Sequence, residues 1–322
     1  MEIVSVDIGG THARFALAEV ENGKVLSLSE PTTLKTAEHA SLQLAWQAYE
    51  RQLGRPLPSA GAIAIASPIG GDVIKLTNNP WIIRPALIHE RLGLERYSLI
   101  NDFGAVGHAV AQVGDDHFLH ICGPDAPFPE RGAITVCGPG TGLGVAQVFW
   151  SNSGYHVIET EGGHMDFSPV DNLEDAMLRR LRSSYTRVSA ERICAGPGIV
   201  AIYEAMAQIE GRSIASLTDR QIWNLAFEGK DSLASAALDR FCLALGTVAG
   251  NLALAHGPKG VVIAGGLGLR LKDHLVRSGF EDRFVAKGRF QSLMKSIPVK
   301  LITHPQPGLF GAAAAYAQEH TL

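Results

Sequence analysis

The chain has 322 residues, a formal net charge of −4 and a pI near 6.3. That mild acidity argues against nucleic acid or an anionic membrane as the main partner, because both select basic faces. At 46% hydrophobic the chain has ample material for a buried core, and its length is a soft indication of two domains.

Thirty-five glycines lie singly and in pairs among apolar runs. This is the pattern of an α/β enzyme with tight turns, not of a linker or a collagen. No basic stretch precedes an apolar one at the N-terminus, so no signal peptide is expected. The longest apolar run, residues 241–255, reads as too short to span a bilayer and contains Asn251. Four cysteines (Cys122, Cys137, Cys194, Cys242) stand far apart without a CxxC. They read as reduced, packed thiols in a cytoplasmic protein.

In chain order, residues 3–8 read as a strand and 14–20 as a second, and Asn22-Gly23 turns into a third at 25–28. Residues 39–53 read as a helix closed by Gly54 and Pro56. The small-residue run GAIAIA at 61–66 is a buried strand, and 74–76 is another, followed by the amide-rich loop Thr77-Asn78-Asn79-Pro80-Trp81. Residues 85–92 are helical, and 97–100 form a strand ending at Asn101-Asp102. This order is mixed α/β.

From Gly132 the pattern repeats: a strand at 133–137, the turn Gly138-Pro139-Gly140-Thr141-Gly142, and a strand at 143–149. The chain begins in the same way, with strand, Asp7-Ile8-Gly9-Gly10-Thr11, strand. Two such units some 130 positions apart suggest a duplicated domain with a cleft between the halves. Residues 173–185 and 199–207 are helical, and 232–255 carry Leu238, Phe241, Cys242, Leu245, Ala249 and Leu252 at the spacing of a core helix. A strand at 260–264 enters Gly265-Gly266-Leu267-Gly268 and a helix at 269–276. A last strand at 299–302 precedes a small-residue helix at 308–318. There is no obvious linker, so two domains would require the chain to cross between them more than once.

The stretch DIGGTHARF at 7–15 fits neither a P-loop, whose GxxxxGK[ST] is absent from the chain, nor a dinucleotide fingerprint, which opens a helix. It fits a β-hairpin whose backbone N–H groups and Thr11 hydroxyl hold the terminal phosphates of a nucleotide. An ordinary hairpin turn is the alternative. Beside a polyanion, Asp7 makes sense with a cation between them, and Mg²⁺ takes few protein carboxylates and keeps its waters. The second turn, with Gly138, Gly140, Thr141 and Gly142, could grip the other end of a triphosphate. Gly265-Gly266 suits the adenosine or α-phosphate end.

Asp102 ends an apolar strand, where open α/β sheets place their ligands. A carboxylate there can take a proton from a hydroxyl that attacks phosphorus. It can equally cap a helix at 104–113, and the roles can coexist. Glu161-Gly162-Gly163-His164 sets an acid and an imidazole around two glycines, suited to neighbouring hydroxyls. A metal pair there would need more ligands. Glu191, just before Gly196-Pro197-Gly198, reads by itself as surface or salt-bridged.

Taken in order, DIGGTHARFAL, AIASPIGGDVIKLTNNPW, LINDFGAV, GPGTGLGVA, EGGHMDF, SAERICAGPG, VVIAGGLG and PGLFGAAAA resemble the bacterial glucokinases of the proteobacterial and cyanobacterial type. The resemblance covers essentially the whole chain. It implies an α/β, two-domain actin-like ATPase (ribonuclease H-like) fold with an interdomain cleft. The small domain would comprise 1–112 plus 303–322 and the large one 113–302. It implies ATP-dependent phosphorylation of glucose at the 6-hydroxyl, with Asp102 as the base and Asn101, Glu161, His164 and Glu191 around the sugar; the amide-rich loop adds Asn78 as a further candidate there. ATP with Mg²⁺ would lie across Asp7, Gly9, Gly10, Thr11, Gly138, Gly140, Thr141, Gly142, Gly265 and Gly266. It also implies a homodimer, to set beside the cytoplasmic location read from the cysteines and the lack of a nucleic-acid or membrane partner read from the charge.

The related repressor–kinase sugar kinases carry a cysteine-rich zinc motif soon after the equivalent of EGGH. Here no cysteine follows His164 until Cys194, so no resident metal is expected. The chain begins at its first strand, which leaves no room for a DNA-binding helix-turn-helix. A non-catalytic sugar sensor would be expected to lack the base or a loop threonine, yet Asp102, Thr11 and Thr141 are present. A kinase for fructose, mannose or an amino sugar stays open, because epimers differ by one hydroxyl's contact.

Overall fold

The first strand, β1 (Glu2–Ile8), alternates two apolar sets, and each calls for its own cover. Val4, Val6 and Ile8 join one cluster with Phe15, Trp46, Ile63, Ile65 and Trp81. Ile3 belongs to another with Ala62, Ala64, Ala105, Ala313 and Tyr316. The sheet is therefore covered on both faces. The computed structural model describes residues 1–76, 79–152 and 154–321. Two units divide the chain: Met1–Gly114, Val157–Glu159 and His304–Leu322 form the first, and Asp115–His156 with Thr160–Thr303 the second.

In the first unit, β1 runs antiparallel to β2 (His12–Glu21), which also pairs with β3 (Lys24–Leu28) and β4 (Thr32–Lys35). On its other side β1 runs parallel to β5 (Ala60–Ile65). A small hairpin, β6 (Ile74–Lys75) and β7 (Ile82–Ile83), stands apart, and β8 (Arg96–Asn101) completes the main sheet parallel to β5. Helix α1 (Leu42–Leu53) contributes Trp46 and Tyr49 to the first cluster, and α2 (Ile88–Leu92) adds Ile88 and Leu92. Helix α3 (Asp102–Gln112) and the C-terminal helix Pro307–His320 cover the opposite face with small residues.

The second unit repeats the plan. Its sheet runs β12 (Gly154–Thr160, of which Val157–Glu159 group with the first unit), β11 (Leu143–Ser151), β10 (Gly132–Pro139), β13 (Gly260–Ile263), β14 (Val299–Ile302), β9 (Phe118–Cys122). Antiparallel, parallel, parallel describes β2–β1–β5–β8 and equally β11–β10–β13–β14. The strand–turn–strand unit repeated in the sequence is thus the central hairpin of each sheet.

Around this second sheet lie α4 (Asn172–Arg182), α5 (Ala190–Cys194), α6 (Gly198–Ile209), α7 (Asp219–Phe227) and α8 (Ser232–His256), then α9 (Gly265–Arg270), α10 (Lys272–Arg277), α11 (Phe280–Val285) and α12 (Gln291–Lys295). Helix α8 extends N-terminally beyond the apolar run at 241–255, to 25 residues. By length and apolarity it matches a membrane span, contrary to the expectation from the run alone. Yet 72% of its most apolar window is buried against protein, so it reads as a core helix. All four cysteines are free and buried. Burial raises Cys122, Cys137 and Cys242 to about 12 and Cys194 well above its ordinary value, which keeps them as protonated, packed thiols.

Candidate active site

Asp7 follows from the alternation of β1. It shares a face with Ser5, whose hydroxyl donates to the Leu309 carbonyl (2.7 Å) at the start of the C-terminal helix. Its carboxylate lies against Gly308 in that helix's first turn and accepts a 3.4 Å bond from Arg14 Nη1. Burial pushes the Asp7 carboxyl above its ordinary value, and the Arg14 guanidinium partly opposes this. A single partly exposed carboxylate beside an anion loop is the donor set a hydrated Mg²⁺ takes. Among the described residues no group of three or more His, Cys, Asp or Glu is arranged around a metal.

The hairpin loop after β1 is fixed through its carbonyls. Gly9 O accepts from Asn79 Nδ2 (3.0 Å), Gly10 O from the Thr36 hydroxyl (3.1 Å) and Thr11 O from the Thr36 amide (3.0 Å). Gly9 N–H closes the turn onto His12 O (2.9 Å). The amides of Gly10 and Thr11 donate to nothing among the described residues. Backbone N–H groups left over at a glycine turn form an anion nest. Thr36 was not a sequence candidate, and its signal, a threonine at the end of an edge strand, is too common to select it. Of the amide pair in the next loop, Asn79 holds the nest, whereas the predicted Asn78 lies outside the described residues.

The second loop has the same character. Gly140 N–H bonds Gly142 O (2.8 Å), and Gly140 O accepts from Gly196 N–H (2.8 Å). The amides of Thr141 and Gly142 have no partner among the described residues. Gly138 lies in β10 just before this loop. Gly265, at φ +82°, brings its backbone against the Pro139 carbonyl, so the third glycine turn adjoins the second. Beside it, no atom of the described residues lies within 4 Å of where a Cβ on Gly266 would sit.

Leu143 ties three motifs of the second unit together. Its amide donates to Glu191 Oε2 (3.0 Å), and its carbonyl lies where a side chain on Gly163 would have to go. The first contact fastens α5 to the end of the second loop, and the second seats the Glu161–His164 turn on β11. Glu191 is therefore bonded inside the unit, not a surface acid. Ala190 N–H donates to Met165 O (2.7 Å) and Phe167 N–H to Val188 O (3.0 Å), joining the two segments. Arg187, unforeseen from the sequence, donates to His164 O (2.5 Å) and to Asp166 (2.6 Å). Glu161 Oε2 and His164 Nε2 stand 3.8 Å apart, both more than half exposed. They are paired polar groups facing outward, suited to adjacent hydroxyls.

Asn101 and Asp102 mark the junction of β8 and α3. The helix cap is Asn101, whose Oδ1 accepts from Phe103 and Gly104 N–H (2.8 and 3.2 Å) while Nδ2 donates to Ser67 O (3.2 Å). This corrects the capping alternative for Asp102 and starts the helix two residues earlier than expected. Asn fits the cap because its amide oxygen reaches the first free N–H groups. Asp102 is the first helical residue, and its Oδ1 shares the Phe103 N–H (2.9 Å).

The sheet order, the paired glycine loops and the carboxylate at a strand end define a sugar kinase of the actin-like ATPase fold. The glucokinase family model matches residues 4–319, and the chain belongs to that family. It is 62% identical to a glucokinase of Zymomonas mobilis over 321 residues, covering 100% of this chain and 99% of that one. Its fold superimposes on a crystal structure of glucokinase from an Antarctic psychrotroph with a TM-score of 0.85, at 34% identity and 98% coverage of each chain. A glucokinase from Balamuthia mandrillaris, solved in complex with glucose, shares the fold at 22% identity and a TM-score of 0.78, covering 98% of this chain and 93% of that one.

Proposed function

We propose that this glucokinase transfers the γ-phosphoryl group of ATP to the 6-hydroxyl of D-glucose with Asp102 as the general base. The observation that carries the phosphoryl-transfer reading is the pair of matching hairpin loops. In the first, every carbonyl is held by protein, and in both, two adjacent amides have no partner among the described residues. Asp102 takes the hydroxyl proton, the sugar oxygen bonds to phosphorus, and the bond to the β,γ-bridging oxygen breaks to release ADP. Gly10, Thr11, Thr141 and Gly142 amides hold phosphate oxygens, with Gly265-Gly266 toward the adenosine. Mg²⁺ would enter as part of the nucleotide substrate and offset phosphate charge, with Asp7 as the carboxylate that would hold one of its waters.

Glu161, His164 and Glu191 bind sugar hydroxyls, joined by an Asn101 amide hydrogen and by Asn78. The protein's own contribution to rate is position and charge, together with one proton acceptor. The enzyme works in the cytoplasm as a homodimer and feeds glycolysis. A coupled ADP-release assay across glucose, mannose, fructose and glucosamine tests the reading. Glucose is expected to give the highest kcat/KM, and a higher value for any other sugar would move the assignment to that substrate.

A further inference from the structure

Glu159, at the end of β12, has no place in the scheme above. Its Oε1 accepts the backbone N–H of Asn101 (2.9 Å), on the Ile100–Asn101 peptide that ends β8 one residue before Asp102. A Cβ on Gly104 would collide with the same carboxylate, so the glycine in the first turn of α3 is what lets Glu159 lie there. A carboxylate at a helix N-terminus is favoured by the helix dipole. Asn101 is thereby held on three sides: its amide by Glu159, its Oδ1 by Phe103 and Gly104, and its Nδ2 by Ser67.

We propose that Glu159 is a positioning residue that fixes the Asn101–Asp102 junction and so the direction of the Asp102 carboxylate. The inference rests on Asp102 being the base. Glu159 touches no reacting atom. It acts by anchoring Asn101, the helix cap that directly precedes the base, and small misplacement of a reacting group costs large factors in rate. Within this arrangement Gly104 and Glu159 form one device, because any side chain at 104 evicts the carboxylate.

The test uses the full chain and four variants: Glu159→Ala, Glu159→Gln, Gly104→Ala and the double Gly104→Ala/Glu159→Ala. Glu159→Ala is expected to lower kcat by about tenfold or more, with the KM for glucose within about twofold and Tm nearly unchanged. Glu159→Gln keeps an oxygen acceptor and should return kcat to within about threefold of the parent. Gly104→Ala should reproduce the loss, and the double variant should be no worse than either single one, since coupled residues are non-additive. A Glu159→Ala enzyme with parental kcat, a loss that Gln fails to rescue, or multiplying losses in the double variant would overturn the inference. Asp102→Asn measured alongside separates the levels. If it keeps turnover, the base assignment falls and this inference with it. If it is inactive while Glu159→Ala is unaffected, this inference alone falls.

Discussion

Replacing Glu191 separates a structural bond from a sugar contact. Its Oε2 accepts the amide of Leu143, a residue only 4% exposed. Glu191→Ala removes the acceptor and leaves a buried N–H without its partner, which costs about 1–3 kcal/mol. For a domain of the second unit's size, each kcal/mol lowers Tm by roughly 2–4 °C, so a fall of roughly 2–12 °C is expected. Glu191→Gln keeps an oxygen for Leu143 but turns the other acceptor, proposed to face the sugar, into a donor. A lost charge-assisted hydrogen bond is worth about 1.5–3 kcal/mol, or about 10- to 150-fold in affinity. The Gln variant should therefore keep Tm within a degree or two of the parent while its KM for glucose rises at least about tenfold. Differential scanning fluorimetry and initial-rate kinetics on the same preparations read both quantities. A Gln variant with the parental KM for glucose would refute the sugar contact, and an Ala variant with unchanged Tm would refute the buried bond.

Asn79→Ala frees the Gly9 carbonyl from its 3.0 Å partner and loosens the first loop. The KM for ATP should rise several-fold with little change for glucose, and equal changes in both would count against the loop's role. Burial holds His108 in α3 down at about 4, below its ordinary value. Its neutral form leaves stability complete above about pH 6.5; as pH falls toward 4 the unfolded chain takes up the proton first, and about 3 kcal/mol is lost. Unfolding followed from pH 7.5 to 4.5 should fall less steeply for His108→Asn than for the parent, and parallel curves would contradict the assignment.

What the sequence made legible was local chemistry. Glycine turns between apolar runs announced both central hairpins, and Ser232 to His256 advertised a core helix by its spacing. The missed strands are edge or outer strands such as β4 (TTLK) and β12 (GYHVIET), which carry polar residues and exist only through a neighbour's hydrogen bonds. The helix expected at 39–53 starts at Leu42 because Ser41 caps it, and the one expected at 269–276 is split between α9 and α10. In the site, the loops and carboxylates were readable as types. Their supports were not: Thr36 acts through two hydrogen bonds and Asn79 through one, all to distant carbonyls of the first loop, and Glu191's bond to Leu143 spans 48 positions.

The central claim is that Asp102 removes the proton from the sugar hydroxyl, and Asp102→Asn tests it most directly. The cap of α3 is Asn101, and an asparagine at 102 can still offer an oxygen to Phe103 N–H, so the fold loses nothing essential. Only proton acceptance is removed. The account predicts a kcat lower by about 10²–10⁴-fold, with Tm and glucose affinity close to the parent's. Near-parental turnover in a stable, sugar-binding Asp102→Asn enzyme would contradict it.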